Sequence, residues 1–127
     1  MHPVTGISVG RIAIGVGALV APELAGKLFR LNGQGNPQLP YMTRMFASRE
    51  IALGAVTLVS KGGARTALTA VGIAVDGADA YAGFDAGASG IVSPATSKFL
   101  MAPAIGAVAA GLVGLVVRRG KKKPAKA

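Results

Sequence analysis

Five ionisable residues, Arg11, Arg49, Glu50, Asp76 and Asp79, fall at the centres of three stretches that otherwise read as apolar helix. Charge at the middle of a membrane span is expensive, and a chain that keeps it there pairs it inside a bundle or uses it. Composition makes the membrane the natural setting. Hydrophobic residues make up 51% of the 127 residues and the mean hydropathy is +0.52. Charged residues make up 15%, against about 25% in a soluble domain. Nineteen glycines and few aromatics suit the close helix–helix contacts found in lipid.

Four segments are expected to span. The first is 3–21, with Pro22 ending it. A cleaved signal peptide is not expected, because Arg11 interrupts the apolar run and only His2 stands where a basic leader would be. Residues 23–31 set Leu24, Leu28, Phe29 and Leu31 against Lys27 and Arg30, the pattern of a short helix lying in the interface. A loop over 32–40, rich in Gly, Asn and Pro, leads to a second span over 41–60, with Pro40 suited to its first turn. A basic turn at 61–65 precedes a third span over 66–88. After a loop over 89–97, the fourth span covers 98–117, where Gly106, Ala110 and Gly114 form a small-residue stripe. Gly83 and Gly87 form a GxxxG pair of low information in so glycine-rich a chain. The expected fold is therefore all-α: a four-helix transmembrane bundle over 1–117 with a short interfacial helix after the first span. Residues 118–127 are expected to form a disordered basic tail.

The net charge of +9 is largely that tail. Six of the fourteen basic residues lie in the last ten positions, and subtracting them leaves +3. Arg118, Arg119, Lys121, Lys122 and Lys123 are expected to anchor on anionic headgroups rather than on nucleic acid. With the 61–65 turn, eight basic residues fall on the side of the termini and four on the other. The positive-inside rule then places both termini in the cytoplasm of a multi-pass inner-membrane protein.

At the expected mid-depth, Asp76 and Asp79 are three apart and share a helix face. Arg11 or Arg49 is expected to pair with them, and an Arg can hold a carboxylate bidentately. Two positive and three negative groups leave an imbalance that Arg44, about a turn and a half nearer the outer surface, is expected to offset. No cofactor and no metal are expected: there is no cysteine, and the one histidine, His2, stands at the N-terminus.

The stretch from Arg44 to Gly54 carries Arg44, Phe46, Arg49, Glu50, Leu53 and Gly54 in an Arg-x-Phe-x-x-Arg-Glu-x-x-Leu-Gly pattern. With Arg11 and Gly15 before it and Asp76 and Asp79 after, it resembles a group of uncharacterised four-helix membrane proteins of actinobacteria. It is also distantly similar to DoxX/DoxD-like proteins. The resemblance implies a four-helix fold and flags these same charged residues; it implies no activity.

The leading expectation is a non-enzymatic accessory or scaffold subunit, partnered by other membrane subunits or by copies of itself. The alternative is a small oligomeric transporter, or a lipid- or quinone-binding protein, using the Asp76/Asp79 pair. An enzyme subunit acting on a lipophilic substrate is a third reading, for which an apolar cavity beside Asp76, Asp79 and Arg49 would be the mark.

Overall fold

A computed structural model describes residues 2–122 of the chain. Its described residues form five helices and no strand: α1 (Pro3–Val20), α2 (Pro22–Leu28), α3 (Leu39–Val59), α4 (Gly62–Ala88) and α5 (Pro94–Lys122). The all-α expectation holds. Local chemistry sets each boundary. Pro3 and Pro22 occupy first-turn positions, where a missing N–H costs nothing. His2 caps α1, its Nδ1 accepting from the Val4 N–H at 3.2 Å. Pro22 also turns Ala21 away from the helical region and ends α1.

α4 and α5 are longer than the sequence pattern suggests. The basic turn expected over 61–65 reduces to Ser60 and Lys61 in extended conformation, and Gly62 (φ 60°) opens α4 directly. The loop expected over 89–97 ends at Ser93, whose Oγ accepts from the Thr96 N–H at 3.2 Å and so caps α5 one residue before Pro94. At the other end α5 continues past Val117 to Lys122. Of the expected tail, 118–122 therefore belong to α5, while Lys123 and the four residues after it lie outside the described residues.

α2 stops three residues short of the expected Leu31. Arg30 takes a left-handed conformation (φ 62°), the Leu31 N–H returns to the Gly26 carbonyl at 2.9 Å, and the Arg30 N–H to the Lys27 carbonyl at 2.9 Å. This is a Schellman ending with Arg where Gly is usual, a strain of about 1–2 kcal/mol. α5 holds it in place: Thr96 Oγ1 donates to the Arg30 carbonyl at 3.3 Å, and the guanidinium lies 5.7 Å from the Phe99 ring centroid.

The long helices alternate in direction. Along α1 and α3, Ser8 meets Gly54, Arg11 meets Glu50 and Gly15 meets Ala47, an antiparallel register. Along α4 and α5, Ile73 meets Gly111, Gly83 meets Leu100 and Gly87 meets Ser97, again antiparallel. α1 packs mainly on α3 and α4 mainly on α5, and the two pairs meet along α1–α5 and α3–α4. Small residues make the approach possible. A methyl group on Gly54 would lie 2.7 Å from the Ser8 carbonyl oxygen, and one on Gly15 would lie 2.8 Å from that of Ala47.

The expected stripe on α5 is displaced. Gly106 faces open space, whereas Gly111 packs on Ile73 and Gly114 on Val4. A seam facing neighbours on two sides follows alternating three- and four-residue steps rather than a strict four. The GxxxG pair of α4 is a true contact: both glycines face α5, and the Gly83 carbonyl accepts from Ser97 Oγ at 2.8 Å.

Polarity is inverted relative to a soluble domain. The buried hydrophobic residues are Val4, Ala18, Ala47 and Ala104, while Arg11, Glu50, Asp76, Ser8, Thr57, Thr69, Thr96 and Ser97 are buried as well. Large apolar side chains such as Val20, Leu28, Val59, Tyr81, Ile91 and Val116 are turned outward.

Gly54→Ala is expected to lower thermal stability in mild detergent by about 1–3 kcal/mol, because its methyl has no room against α1. Gly17→Ala meets nothing within 4 Å and is expected to be neutral or stabilising by up to about 1 kcal/mol through helix propensity. Melting curves of the two variants test the α1–α3 approach; equal effects would discard it.

Candidate functional site

Three helices bring their central charges into one continuous chain. Arg11 extends from α1 between α3 and α4, where its side chain is buried. Nη1 donates to Glu50 Oε2 at 2.8 Å, and Nη2 donates to Asp76 Oδ2 and, at 3.5 Å, to the Gly72 carbonyl. Glu50 Oε1 then accepts from Arg49 Nη2 at 3.4 Å, and the same nitrogen donates to Asp79 Oδ2 at 2.5 Å. The order is Asp76–Arg11–Glu50–Arg49–Asp79. Arg11 bridges two carboxylates on different helices instead of gripping one bidentately. Such charge-assisted bonds are about twice as strong as neutral ones.

The surroundings make room for the guanidinium. A methyl on Gly72 would lie 3.1 Å from Arg11 Nη2, and one on Gly54 would lie 3.1 Å from Arg11 Cβ. Both glycines are buried beside the arginine. Ser8, Thr57 and Thr69 line a cavity of about 20 Å³ next to Arg11 and Asp76, sized for one water molecule. Each of these hydroxyls donates to the carbonyl four residues earlier, at 2.7–2.8 Å.

Burial divides the chain of charges. Arg11, Glu50 and Asp76 are enclosed, whereas the side chains of Arg49 and Asp79 are 40% and 32% exposed. Asp76 and Asp79, expected to act as a pair, serve different arginines. Arg49 also lies 5.2 Å from the Phe46 ring centroid.

Arg44 is not part of this network. It is exposed on α3, and its Nε donates to the Leu19 carbonyl at 3.3 Å. It therefore satisfies an end carbonyl of α1. Among the described residues Arg44 forms no ion pair with the three carboxylates. Two guanidiniums face three carboxylates, and the chain of charges carries a formal excess of one negative charge. Oxygens of Glu50, Asp76 and Asp79 all lie within 4.8 Å of one another. Arg11 and Arg49 stand among them, where a metal ion would otherwise supply the positive charge.

The sequence pattern passed over two residues, one beside this site and one at the end of the bundle. Gly72 gives the guanidinium its room, and only its spacing of four from Asp76 hints at that. Arg65, read from the sequence as a turn residue, lies on α4, where its Nη2 donates to Thr5 Oγ1 at 2.6 Å.

No family model matches the chain, and none of the curated proteins or solved structures shows significant similarity to it.

Replacing Arg11 with Met leaves Glu50 and Asp76 buried without their shared cation, and is expected to cost about 3–5 kcal/mol or prevent folding. Adding Glu50→Gln and Asp76→Asn to Arg11→Met is expected to recover part of that loss. Arg44→Ala is expected to change stability by less than about 0.5 kcal/mol. Thermal melts of the three proteins decide the matter: an Arg11→Met protein as stable as the parent would rule out the buried ion chain.

Proposed function

We propose that this chain is a four-spanning protein of the inner membrane that serves as a non-enzymatic accessory or scaffold subunit. The observation that carries the reading is the inverted polarity, with charges and hydroxyls inside and large aliphatic and aromatic side chains outside. In lipid this arrangement satisfies both surfaces; in water it would satisfy neither.

α1 and α5 are long and apolar enough to cross a membrane. Only 28% and 17% of their spanning residues are buried, where the core helix of a soluble domain would be mostly enclosed. α3 and α4 carry more charge: Glu50 and Asp76 are buried against the other helices, Arg65 and Asp79 are half-buried, and Arg44, Arg49 and Asp85 are exposed. Their 21 and 27 residues give lengths of about 31 and 40 Å, enough for a hydrocarbon layer of about 30 Å. α2 exposes Leu24 and Leu28 beside Lys27 at the end of α1, as a segment lying in the interface would. Both termini then lie on one side, and the positive-inside rule makes that side cytoplasmic. The resemblance to the four-helix actinobacterial group points to the same arrangement.

The accessory role follows from where polarity is left open. The cavity beside Asp76 has room for a water molecule, not for a quinone. Arg49 and Asp79 instead reach the outer surface halfway along α3 and α4. A half-exposed ion pair at that depth is poorly placed against lipid and well placed against another span.

The chain has no cysteine, so single cysteines report topology cleanly. Lys61→Cys is expected to react with a membrane-impermeant maleimide from the cytoplasmic side, and Gln34→Cys and Ser89→Cys from the opposite side. Labelling of all three from one side would end the four-span reading. For the accessory role, protein tagged at the N-terminus and extracted in mild detergent is expected to retain a stoichiometric membrane partner. Asp79→Asn is expected to lose that partner while melting like the parent. A parent protein that elutes alone would sink the role without touching the topology.

A further inference from the structure

At the end of the bundle where α1 and α4 begin, the helices leave a pocket of about 280 Å³. Its lining is His2 and Val4 from α1 and its cap, Arg65, Thr66 and Thr69 from α4, and Gly114 and Leu115 from α5. None of these seven residues is acidic. Resting on the four-span reading above, we propose that this pocket binds the phosphate-ester headgroup of an anionic membrane lipid.

Position supports it first. The pocket lies at the end of the bundle that the charge distribution places on the cytoplasmic side, at the level where lipid phosphates sit. The sequence adds Arg118 and Arg119 just beyond Leu115, and Lys61 just before α4. Basic residues here raise the local concentration of anionic lipid.

The chemistry of the walls fits a headgroup. Arg65 is half-buried, and its one described side-chain bond is to the neutral Thr5 hydroxyl. That bond takes one of five N–H donors of a fork whose geometry matches a phosphate. Arg11 and Arg49, by contrast, both spend their forks on carboxylates. Thr66 and Thr69 donate their protons to the Gly62 and Arg65 carbonyls. Their oxygens can therefore only accept, which suits the hydroxyls of a glycerol headgroup. Val4, Gly114 and Leu115 supply the apolar wall along which the upper acyl chain would lie. The start of α4 has no side-chain cap, which adds positive potential nearby.

The same phosphate ester could arrive on a lipid or as a free solute, and the test separates the two. Full-length protein in a neutral detergent is titrated with short-chain phosphatidylglycerol, with short-chain phosphatidylcholine and with glycerol phosphate, followed by ³¹P NMR or calorimetry. Phosphatidylglycerol is expected to bind saturably and the other two much more weakly. Arg65→Gln is expected to weaken that binding about tenfold, the loss of one charge-assisted contact. Thr5→Val, which removes the bond to Arg65 and keeps its charge, and a variant with Lys121, Lys122 and Lys123 replaced by Ala are expected to bind within about twofold of the parent. If Arg65→Gln does not fold, Arg65→Lys stands in for it, with an intermediate loss expected because Lys lacks the fork.

Unchanged binding in the Arg65 variants, or loss confined to the lysine variant, would overturn the site in favour of a diffuse basic tail. Glycerol phosphate binding as tightly as the lipid would overturn the lipid assignment. Flotation with phosphatidylcholine vesicles keeps the two readings apart. Protein that fails to insert refutes the membrane reading, whereas protein that inserts and shows no preference for phosphatidylglycerol refutes the pocket alone.

Discussion

Arg11 and the two carboxylates it joins set the terms for the rest of the molecule. The side chain leaves α1 and reaches Glu50 on α3 and Asp76 on α4 at once. That double demand fixes the rotation of three helices and their relative height. A shift of one residue along either partner turns its carboxylate by about 100° and ends the contact. Apolar faces alone allow many nearby registers, because one aliphatic contact replaces another at little cost. The buried charges are best understood as a specification of register, with net stability a separate matter: a buried ion pair repays its desolvation only when its geometry is good.

The glycines belong to the same device. Gly54 brings α3 against the backbone of α1 at Ser8, beside the Cβ of Arg11. Gly72 clears the end of the guanidinium on α4. Larger residues at either place would push the helices apart and stretch the bonds that Arg11 makes. Away from this centre the two helix pairs are joined at one end by Arg65 to Thr5 and by Val4 against Gly114. At the other end Arg30 and Thr96 tie the α2 turn to α5. The strain at Arg30 is tolerable because α5 contacts both its carbonyl and its guanidinium.

Much of this was legible in the sequence, and the failures have physical causes. Helix existence and order follow from apolar runs broken by Pro and Gly, which is why every long helix was expected close to where it lies. Boundaries moved because caps are local: Ser93 before Pro94 starts α5 early, and Gly62 needs no preceding turn. Depth was readable from residue counts, so Arg11, Arg49, Glu50, Asp76 and Asp79 were expected at one level, and they meet there. Azimuth was not. Whether Arg44 faces inward depends on the crossing of α1 and α3, which no single-helix pattern contains. The same blindness moved the α5 stripe off Gly106, because the packing face of a helix is chosen by its neighbours.

The hydroxyls complete the logic of the interior. Ser8, Thr57 and Thr69 return their protons to their own helices, leaving oxygens that can only accept. Arg11 is the donor among the polar groups that line the water-sized cavity beside Asp76. A water held there would give its protons to these oxygens and receive one from the guanidinium, a complete set of partners. Thr69 lines both this cavity and the pocket at the end of the bundle. Through Arg11 and Asp76, the enclosed half of the ion chain borders the cavity that shares this residue with the pocket. Its other half, Arg49 with Asp79, opens sideways. One chain of charges faces two environments: Arg11, Glu50 and Asp76 are enclosed, whereas Arg49 and Asp79 are part-exposed.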